Sequence, residues 1–532
     1  MGHRLRRILR YTLVTFLAVL VLAASLEYRR PLYPYLQTPT SRSVQVTWRS
    51  PLSGEAFVEY GLRENELSRR TEASSNRLGP VWWWHRAWLS DLEPDKTYYY
   101  RVITGRKASS VLSFRTQPVE GTSKGHYRIV VLGDHQRWWD KRFQTLVERA
   151  QGLAEERFGG AVEETINLVV FLGDMVQHGD CLWQWDRLHI TQSSKLTSRI
   201  PSLTVVGNHD LGASGDLTTY SDLFTSRDVQ DFHYGEPGSE GDHYYATQKA
   251  NIVFLCFDSD HPTAEQTAWI ASVLTRADKD PGVDWVVVIS HHPLWCEELP
   301  ADEAWYSQQE VLPLLLKSDK LVLILSGHAH LYSRGSLSER GVYHVISGGA
   351  SFDQLWEETP DNNVDYAEVQ KTIDRQNFQI LDFDLEARVL RVESWSIGSS
   401  SLGGGFDELK LIDSFGLTRE GSPPQKPSLV QTGPGEFSGS PYQGEEPLVS
   451  AEFLFVDQDG KELTRVRRDT ENYFGNLKTE EGFQPLNHAP ADVTKIAADD
   501  ALLNARQVRV RYRDASLRWS DWSNSLTVEV PR

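Results

Sequence analysis

The sequence predicts an α/β domain between two β-rich regions, and three observations support this. Residues 126–413 contain continuous apolar runs such as RIVVL, NLVVFL, WVVVI and LVLIL. Because these runs do not alternate with polar residues, they indicate strands that are buried on both faces. Amphipathic helical patterns lie between the runs, as in a sheet covered by helices. Residues 34–118 and 449–530 instead show short alternating strands separated by polar turns, which is typical of a β-sandwich.

Two helices of the α/β region have clear signatures. The first has apolar residues at a 3.6-residue period: Phe143, Leu146, Val147, Ala150 and Leu153. The second begins at Thr263, with Gln266 three residues later in the spacing of a capping box. Both patterns predict helices that pack one face on the sheet.

The chain has 532 residues, which is too long for one hydrophobic core. Residues 416–448 are rich in Pro, Gly and Ser, and this composition predicts a linker. We therefore expect five segments: an N-terminal segment over 1–30, a β-domain over 31–120, the α/β domain over 121–415, the linker over 416–448 and a C-terminal β-domain over 449–532.

Composition excludes some classes of partner. The formal net charge of −18 gives a surface that repels nucleic acid, so a protein that recognises nucleic-acid sequences is not expected. The three cysteines form neither a disulfide framework nor a zinc-finger spacing. Cys256 lies in an apolar run and is predicted to be a core thiol. Whether Cys181 pairs with Cys296 stays open at this point.

The N-terminal segment has the pattern of an export signal. Four arginines precede an apolar run from Tyr11 to Leu26, and LAAS near the end of this run offers small residues suited to cleavage. The run is somewhat shorter than the ~20 residues of a comfortable membrane span. The segment is therefore predicted to be either a cleaved signal peptide or a single membrane anchor. In both cases the rest of the chain is periplasmic or extracellular.

Polar side chains follow five apolar runs at the point where each strand is expected to end. These residues are Asp134 and Gln136, then Asp174, then Asn208 and His209, then His291, and finally His328 and His330. In open α/β sheets such strand ends border the binding crevice, so we expect the side chains to converge. The period of two in extended backbone directs Asp134 and Gln136 to the same side and His135 away.

Carboxylate and amide oxygens together with imidazoles suit a pair of ions such as Fe, Mn or Zn. A carboxylate is the natural bridge between two ions, and Asp174 is the predicted bridge. Two ions roughly 3.5–4 Å apart acidify a bound water and hold both ends of an in-line displacement at phosphorus. The strand-end pattern therefore predicts a metal-dependent phosphoesterase that acts on small phosphorylated substrates.

The motifs GDHQ, GDMVQ, GNHD, VISHHP and GHAH resemble those of the calcineurin-like metallophosphoesterases. The preceding segments YPYLQTP, VTW, VEYG, LSDLEPDKTYYYRV and FRTQP resemble the N-terminal fibronectin-like domain of the purple acid phosphatase branch. The resemblance spans about residues 34–413. It implies a metallophosphoesterase β-sheet sandwich flanked by helices, preceded by a fibronectin-like β-sandwich.

The resemblance also implies roles for individual residues. One metal would bind Asp134, Asp174 and His330, and the other would bind Asp174, Asn208, His291 and His328. His209 would contact the phosphate and help to protonate the leaving group, beside the bridging Asp174. The nucleophile would be a metal-bound hydroxide, with no covalent enzyme intermediate.

Three departures from the family pattern concern this site. Purple enzymes carry a tyrosine where this chain has Gln177, so no tyrosinate–iron colour is expected and Fe(III) is in question. Non-purple relatives often carry a histidine where this chain has Gln136, so this amide ligates weakly or gives way to a water. The histidine pair that plant members use at the substrate is missing after His291, and alternation predicts that His292 points away.

The C-terminal sequence VRVRYRDASLRWSDWS predicts a stacked arrangement of cations and rings. Arg509, Arg511 and Arg513 alternate with apolar residues, so the arginines share one face of a strand. Trp519 and Trp522 can lie between them as cation–π partners. The pattern resembles the fibronectin-like domains of cytokine receptors, and we interpret it as a stabilising device rather than as a cytokine-binding site.

Phosphomonoester hydrolysis is the leading predicted activity. Phosphodiester hydrolysis on the same site is an alternative, since the motif residues serve both reactions. A surface-binding protein with a catalytically retired domain is a hypothesis from a different class. The sequence predicts no oligomeric state.

Overall fold

The computed structural model of the chain describes residues 25–51, 53–79, 82–137, 141–224, 231–239, 243–298, 304–337, 340–351, 364–398, 408–479, 482–497 and 505–528. The predicted signal or anchor segment lies, up to residue 24, outside these ranges. Within them, no helix combines the length and the apolar character that a membrane crossing requires.

The N-terminal region consists of strands in two layers. The strands are β1 (Tyr35–Gln37), β2 (Val44–Ser50), β3 (Ala56–Gly61), β4 (Arg69–Glu72), β5 (Ser74–Arg77), β6 (Trp83–Leu89), β7 (Thr97–Thr104), β8 (Lys107–Ala108) and β9 (Leu112–Arg115). One layer has the order β1-β2-β6-β5, and the other has β4-β3-β7-β8 with β9 beside β7. Trp48, Tyr100 and Phe114 are fully buried in the core between the layers.

The central region alternates strands and helices. Its strands are β10 (His126–Leu132), β11 (Leu168–Phe171), β12 (Ser202–Thr204), β13 (Tyr245–Lys249), β14 (Ile252–Cys256), β15 (Trp285–Ile289), β16 (Leu321–Ser326), β17 (Tyr332–Ser336), β18 (Tyr343–Ser347), β19 (Val369–Ile373), β20 (Gln376–Asp384), β21 (Val389–Gly398) and β22 (Lys410–Thr418). Its α-helices are α1 (Arg142–Phe158), α2 (Val162–Thr165), α3 (Leu182–Gln184), α4 (Thr191–Thr197), α5 (Thr218–Leu223), α6 (Ala264–Lys279) and α7 (Leu312–Leu315). A π-helical turn, Trp185–Ile190, joins α3 to α4.

These strands form two sheets. The first has the order β22-β21-β20-β10-β11-β12 and continues through β1 into the N-terminal layer. The second has the order β13-β14-β15-β16-β18-β17-β19. Successive residues of β10 show why both faces are apolar: Ile129 lies in the core between the sheets, whereas Val130 lies in the core under α1. This sandwich between helices confirms the predicted α/β fold.

The helix predictions are confirmed. Phe143, Leu146, Val147 and Ala150 of α1 are buried against the first sheet. Thr263 caps α6 by accepting a hydrogen bond from the backbone N–H of Gln266. The Gln266 side chain does not return to Thr263, because it bonds to the backbone N and O of Asp258 instead.

The C-terminal region is also built from strands, as predicted. They are β23 (Leu429–Gly433), β24 (Glu436–Gly439), β25 (Leu448–Val456), β26 (Glu462–Asp469), β27 (Tyr473–Thr479), β28 (Gly482–Asn487), β29 (Lys495–Ala497), β30 (Gln507–Asp514) and β31 (Leu526–Thr527). Strands β23 and β24 lie inside the segment predicted as a linker, where they pair with β29. The Pro, Gly and Ser residues of that segment form turns between short strands. Composition alone does not distinguish such turns from a linker. The fibronectin-like topology of this region stays a prediction.

The predicted cation–π arrangement is present. The guanidinium carbon of Arg511 lies 4.2 Å from the ring centroid of Trp519 and 4.5 Å from that of Trp522. Arg513 is buried and donates to the carbonyl oxygens of Leu337 and Arg340 in the central region. Strand β27 also adds to the edge of β19. The C-terminal region therefore contacts the central domain both through hydrogen bonds of Arg513 and through strand pairing.

Candidate metal centre

Parallel strands bring the predicted ligands to one edge of the sandwich. In the first sheet β10, β11 and β12 are parallel, and in the second β14, β15 and β16 are parallel. Asp134, Asp174 and His328 follow β10, β11 and β16 with positive φ angles of 60°, 49° and 70°. Such backbone costs a non-glycine residue roughly 1–2 kcal/mol. This left-handed backbone turns the three side chains sharply into the crevice between the sheets.

Two glycines allow the strand ends to approach each other. A Cβ on Gly207 would lie 2.3 Å from Asp174 Oδ1, and a Cβ on Gly327 would lie 2.5 Å from Asp134 Oδ2. Neither distance is compatible with a side chain. The carboxylates therefore reach the crevice only because the neighbouring strand ends carry no Cβ.

One group of donors contains Asp134, Asp174 and His330, whose ligand atoms all lie within 4.8 Å of one another. Gln136 stands beside them: its Nε2 donates to Asp174 Oδ2 at 3.1 Å and lies 3.4 Å from His330 Nε2. Gln136 Oε1 is buried and has no hydrogen-bond partner among the described residues. A half-turn of this amide exchanges the two atoms and presents the oxygen to an ion, since they are nearly equal in size.

The second group shares Asp174 with the first. His291 Nε2 lies 3.4 Å from Asp174 Oδ1 and 3.0 Å from Asn208 Oδ1. His328 Nδ1 lies 3.1 Å from the same Asn208 oxygen. Asp174 thus stands between the two groups, where a bridging ligand would be.

The protonation of His291 tests whether this arrangement fits a cation. Its Nδ1 lies 2.7 Å from the carbonyl oxygen of Leu172 and must donate to it. Burial lowers the pKa of His291 well below its usual value, so the ring is neutral and Nε2 carries a lone pair. That lone pair faces a carboxylate oxygen of Asp174 at 3.4 Å, which repels it. A cation between them removes the repulsion, and the carbonyl behind the ring fixes the tautomer that a metal needs.

The electrostatics of the carboxylates agree with this. Burial raises the pKa of Asp134 well above its usual value, and the neighbouring charge of Asp174 raises it further. Burial also raises the pKa of Asp174 and lowers the pKa of His330 to about 3. Two buried carboxyls among neutral imidazoles are stabilised as anions when cations bind. The residues present therefore fit a pair of metal ions.

His209 follows Asn208 at the rim of this site. Its backbone N–H donates to Asp174 Oδ1 at 2.9 Å, and its Nδ1 lies 2.8 Å from Gln177 Nε2. The Gln177 amide therefore contacts His209. No role was predicted for Asp210, yet its buried carboxylate accepts hydrogen bonds from the backbone N–H groups of Gly207 and Met175 and so connects two strand ends.

The structure thus brings all the predicted site residues to one edge of the sandwich. Sequence analysis also predicted the side-chain directions of His135 and His292. His135 points away as predicted, with Nε2 3.0 Å from His189 Nδ1 and its ring stacked on Phe143. The prediction for His292 is wrong, because its ring centroid lies 4.1 Å from that of His328. The backbone turns after β15, so alternation no longer applies there. No disulfide joins Cys181, Cys256 or Cys296, which settles the open pairing.

A sixth strand end was missed. Asp258, Asp260 and His261 follow β14, which lies beside β15 in the second sheet. The signal was present in the sequence as NIVFLCFDSDH, an apolar run that ends in two carboxylates and an imidazole. Asp258 is fully buried and accepts hydrogen bonds from His243 and His261.

Comparisons with known proteins agree with this geometry. Residues 127–332 match the calcineurin-like phosphoesterase family. These residues therefore match a metallophosphoesterase domain, in agreement with the fold and the strand-end site described above. Residues 31–116 match the purple acid phosphatase N-terminal domain, so both domains of that branch are present in the order that the sequence motifs predicted.

Individual relatives point to the same branch. The chain is 24% identical over 359 residues to purple acid phosphatase 15 of Arabidopsis thaliana, covering 59% of this chain and 64% of the relative. It is also 24% identical over 333 residues to phosphoenolpyruvate phosphatase of Allium cepa, covering 58% and 63%. The chain therefore spans slightly less than two thirds of these relatives. Purple acid phosphatase PPD1 of yellow lupin shares the fold, with a TM-score of 0.57 at 19% identity over 73% of this chain and 74% of that chain.

Proposed function

We propose that the chain is a metal-dependent phosphoesterase that hydrolyses phosphomonoesters. The observation that carries the proposal is the shared position of Asp174. Its carboxylate belongs to the compact group with Asp134 and His330, and its Oδ1 also lies 3.4 Å from His291 Nε2. Two ions that share one carboxylate are the arrangement suited to displacement at phosphorus.

Under this proposal, Asp134, Asp174 and His330 hold one ion, with Gln136 Oε1 available as a further donor. Asp174, Asn208, His291 and His328 hold the other. When bound, the pair of ions acidifies a water and neutralises the charge that develops on the phosphate. The protein residues fix the positions of both groups of donors, since the strands behind them are buried on both faces.

His209 is proposed to protonate the leaving oxygen. It is held from two sides: its backbone N–H is bonded to Asp174, and its ring Nδ1 contacts the side chain and the carbonyl oxygen of Gln177. These contacts leave Nε2 as the ring atom available to substrate. An imidazole is the most common side chain for proton transfer in enzymes, so His209 suits this role.

The proposed ions are divalent or mixed-valence Fe, Mn or Zn. Gln177 replaces the anionic tyrosine ligand of the purple enzymes, and its amide is bonded to His209. A site with no phenolate offers less negative charge to a trivalent ion, which favours divalent ions. We also propose export, because a basic stretch and an apolar run open the sequence. The mass of the mature protein tests whether this segment is cleaved or retained as an anchor.

The purified chain tests the proposal in one experiment. Metal content is measured after loading with Mn, Fe or Zn, and hydrolysis of p-nitrophenyl phosphate is compared with that of bis(p-nitrophenyl) phosphate. We expect about two ions per chain and a higher kcat/KM on the monoester. A higher kcat/KM on the diester would make the chain a phosphodiesterase. A chain that binds no ion and hydrolyses neither compound would be the retired surface-binding protein.

A further inference from the structure

A short loop follows β11 and Asp174, and its residues 177–179 contact His209. We call these residues the Gln177 loop. Gln177 approaches His209 with two atoms: its side-chain Nε2 lies 2.8 Å and its backbone oxygen 3.2 Å from His209 Nδ1. His209 is half-buried, and these contacts restrict the rotation of its ring. The position of the loop therefore sets the direction of the His209 ring.

The side chain of Gln184, the last residue of α3, holds this loop. Gln184 Oε1 accepts hydrogen bonds of 2.9 Å from the backbone N–H groups of both Gln177 and His178. Because both partners are donors, the accepting atom must be the amide oxygen. Gln184 is 8% exposed, and two backbone N–H groups that lose a buried acceptor are costly to leave unpaired.

One peptide unit connects Gln184 to His209. The peptide between Gln177 and His178 directs its carbonyl oxygen to His209 Nδ1 and its N–H to Gln184 Oε1. This peptide is trans, so its carbonyl and its N–H point in opposite directions. Gln184 and His209 therefore lie on opposite sides of the unit, and a rotation of the peptide would break both contacts together.

Gly179 fixes the other end of the loop. Its carbonyl oxygen accepts from the indole N–H of the buried Trp185 at 2.7 Å, and its own N–H donates to the carbonyl oxygen of Leu211. A Cβ on Gly179 would collide with the carbonyl oxygen of Asp210, so the loop packs directly on the segment that follows His209. The loop is therefore held on one side by Gln184 and Trp185 and on the other by residues 210–211.

We propose that Gln184 is a positioning residue for the reaction. It fixes the Gln177 loop, and the loop directs the ring of His209 toward the leaving oxygen. The inference rests on the phosphoesterase function proposed above, in which His209 protonates that oxygen. Gln177 stands where the purple enzymes carry a tyrosine ligand, so in this chain the loop contacts the proton donor through an amide.

Gln184→Met tests the proposal, because methionine has nearly the same length but lacks the amide oxygen. The zinc-loaded full chain is assayed with phenyl phosphate and with p-nitrophenyl phosphate. We expect kcat to fall about ten-fold on phenyl phosphate and about two-fold or less on p-nitrophenyl phosphate, since the poorer leaving group depends more on a well-placed proton donor. KM and metal content should stay at the wild-type values.

A double-mutant cycle shows whether Gln184 acts through His209. In the His209→Ala background, Gln184→Met should change kcat by less than about two-fold, because the group that Gln184 positions is already absent. Gln184→Glu retains an acceptor oxygen at the same place, so it should keep the wild-type ratio of the two kcat values.

Gln192→Met is the matched control. Gln192 is also 8% exposed, and its Oε1 accepts from the backbone N–H of Gln144 in α1 instead of from the loop. This variant removes the same kind of hydrogen bond and should keep the wild-type ratio of the two kcat values.

Hydrogen exchange of the loop gives a readout that does not depend on turnover. In Gln184→Met the amides of Gln177 and His178 should exchange about ten-fold faster than in the wild type, since they lose their acceptor. Unchanged exchange would overturn the proposal. So would faster exchange with an unchanged kcat ratio, or an equal loss of kcat with and without His209. A wild type that hydrolyses neither ester would instead refute the proposed function, while the exchange result would still report the loop contacts.

Discussion

His291 Nε2 lies 3.0 Å from Asn208 Oδ1, although the only ring proton of a neutral His291 is donated to Leu172. Both of these atoms can donate an electron pair to a cation between them, and Asp174 Oδ1 lies 3.4 Å from the same His291 nitrogen. Asn208→Ala should therefore remove one ion: metal analysis should show about one ion per chain instead of two, and kcat/KM should fall by about 10²–10³.

Asn76→Ala is a suitable comparison, since Asn76 is exposed on β5 of the N-terminal region. It should keep both ions and full turnover. If Asn208→Ala retains two ions, Asn208 is not a metal ligand. The second ion would then not bind at the donor group that contains Asn208.

His209→Ala should lower turnover without releasing metal. The side chain lies outside both donor groups, and a positioned proton donor contributes about 10²–10⁴ to a rate. The loss should be larger on phenyl phosphate than on p-nitrophenyl phosphate, because the poorer leaving group depends more on protonation. His178→Ala is the control, since this exposed histidine follows the end of the neighbouring strand β11. An equal loss on both substrates would assign His209 to phosphate binding instead.

Iron-loaded protein should show no strong absorption band in the visible range. The position that a tyrosine ligand would occupy holds Gln177, whose amide contacts His209 at 2.8 Å. An absorption spectrum recorded after aerobic loading with iron checks this. Gln177→Tyr is the matched variant and should gain the band. A strong band in the wild type would mean that another phenolate reaches the site.

Lys249→Met should stabilise the protein at neutral pH. Lys249 is buried, with Nζ bonded to Thr247 Oγ1 and lying 4.9 Å from the Phe232 ring centroid. Burial lowers its pKa to about 7, whereas the unfolded chain binds this proton up to about pH 10.4. The folded state therefore binds fewer protons between these values, and stability rises with pH across that window.

The gain in the midpoint of thermal unfolding should be largest at pH 7 and below, and it should shrink toward pH 10. Lys317→Met, on an exposed residue, should change the midpoint little at any pH. A gain in Lys249→Met that does not depend on pH would mean that packing, and not charge, limits stability at this position.

Arg511→Ala should destabilise the C-terminal region by about 2 kcal/mol. The guanidinium contacts the rings of Trp519 and Trp522 and donates to Glu452 Oε2 at 2.6 Å, and each cation–π contact contributes ~0.5–1 kcal/mol. Denaturant unfolding followed by tryptophan fluorescence measures the change. Arg509→Ala is the control, since that side chain is bonded to the exposed Ser525. Equal losses in both variants would remove the special role of the stacked arginine.

The sequence was sufficient for features that depend on one strand or one helix. Continuous apolar runs predicted strands buried on both faces, and Ile129 and Val130 do lie in different cores. Alternation predicted the direction of His135, although β10 ends at Leu132 and the positive φ of Asp134 interrupts the extended backbone. Alternation failed at His292, where the chain has already turned and the ring packs on His328.

By itself, the sequence determined the α/β order of the central domain, the order of its strand-end motifs and the β-rich character of both flanks. These properties follow from local periodicity and from the chemistry of single residues. Only the tertiary structure decided which strand ends are neighbours, and so which side chains share a site. The approach of His291 to Asn208 and the contact of Gln177 with His209 are both contacts between residues far apart in the chain. Such contacts are set by sheet order and packing, which no local pattern encodes.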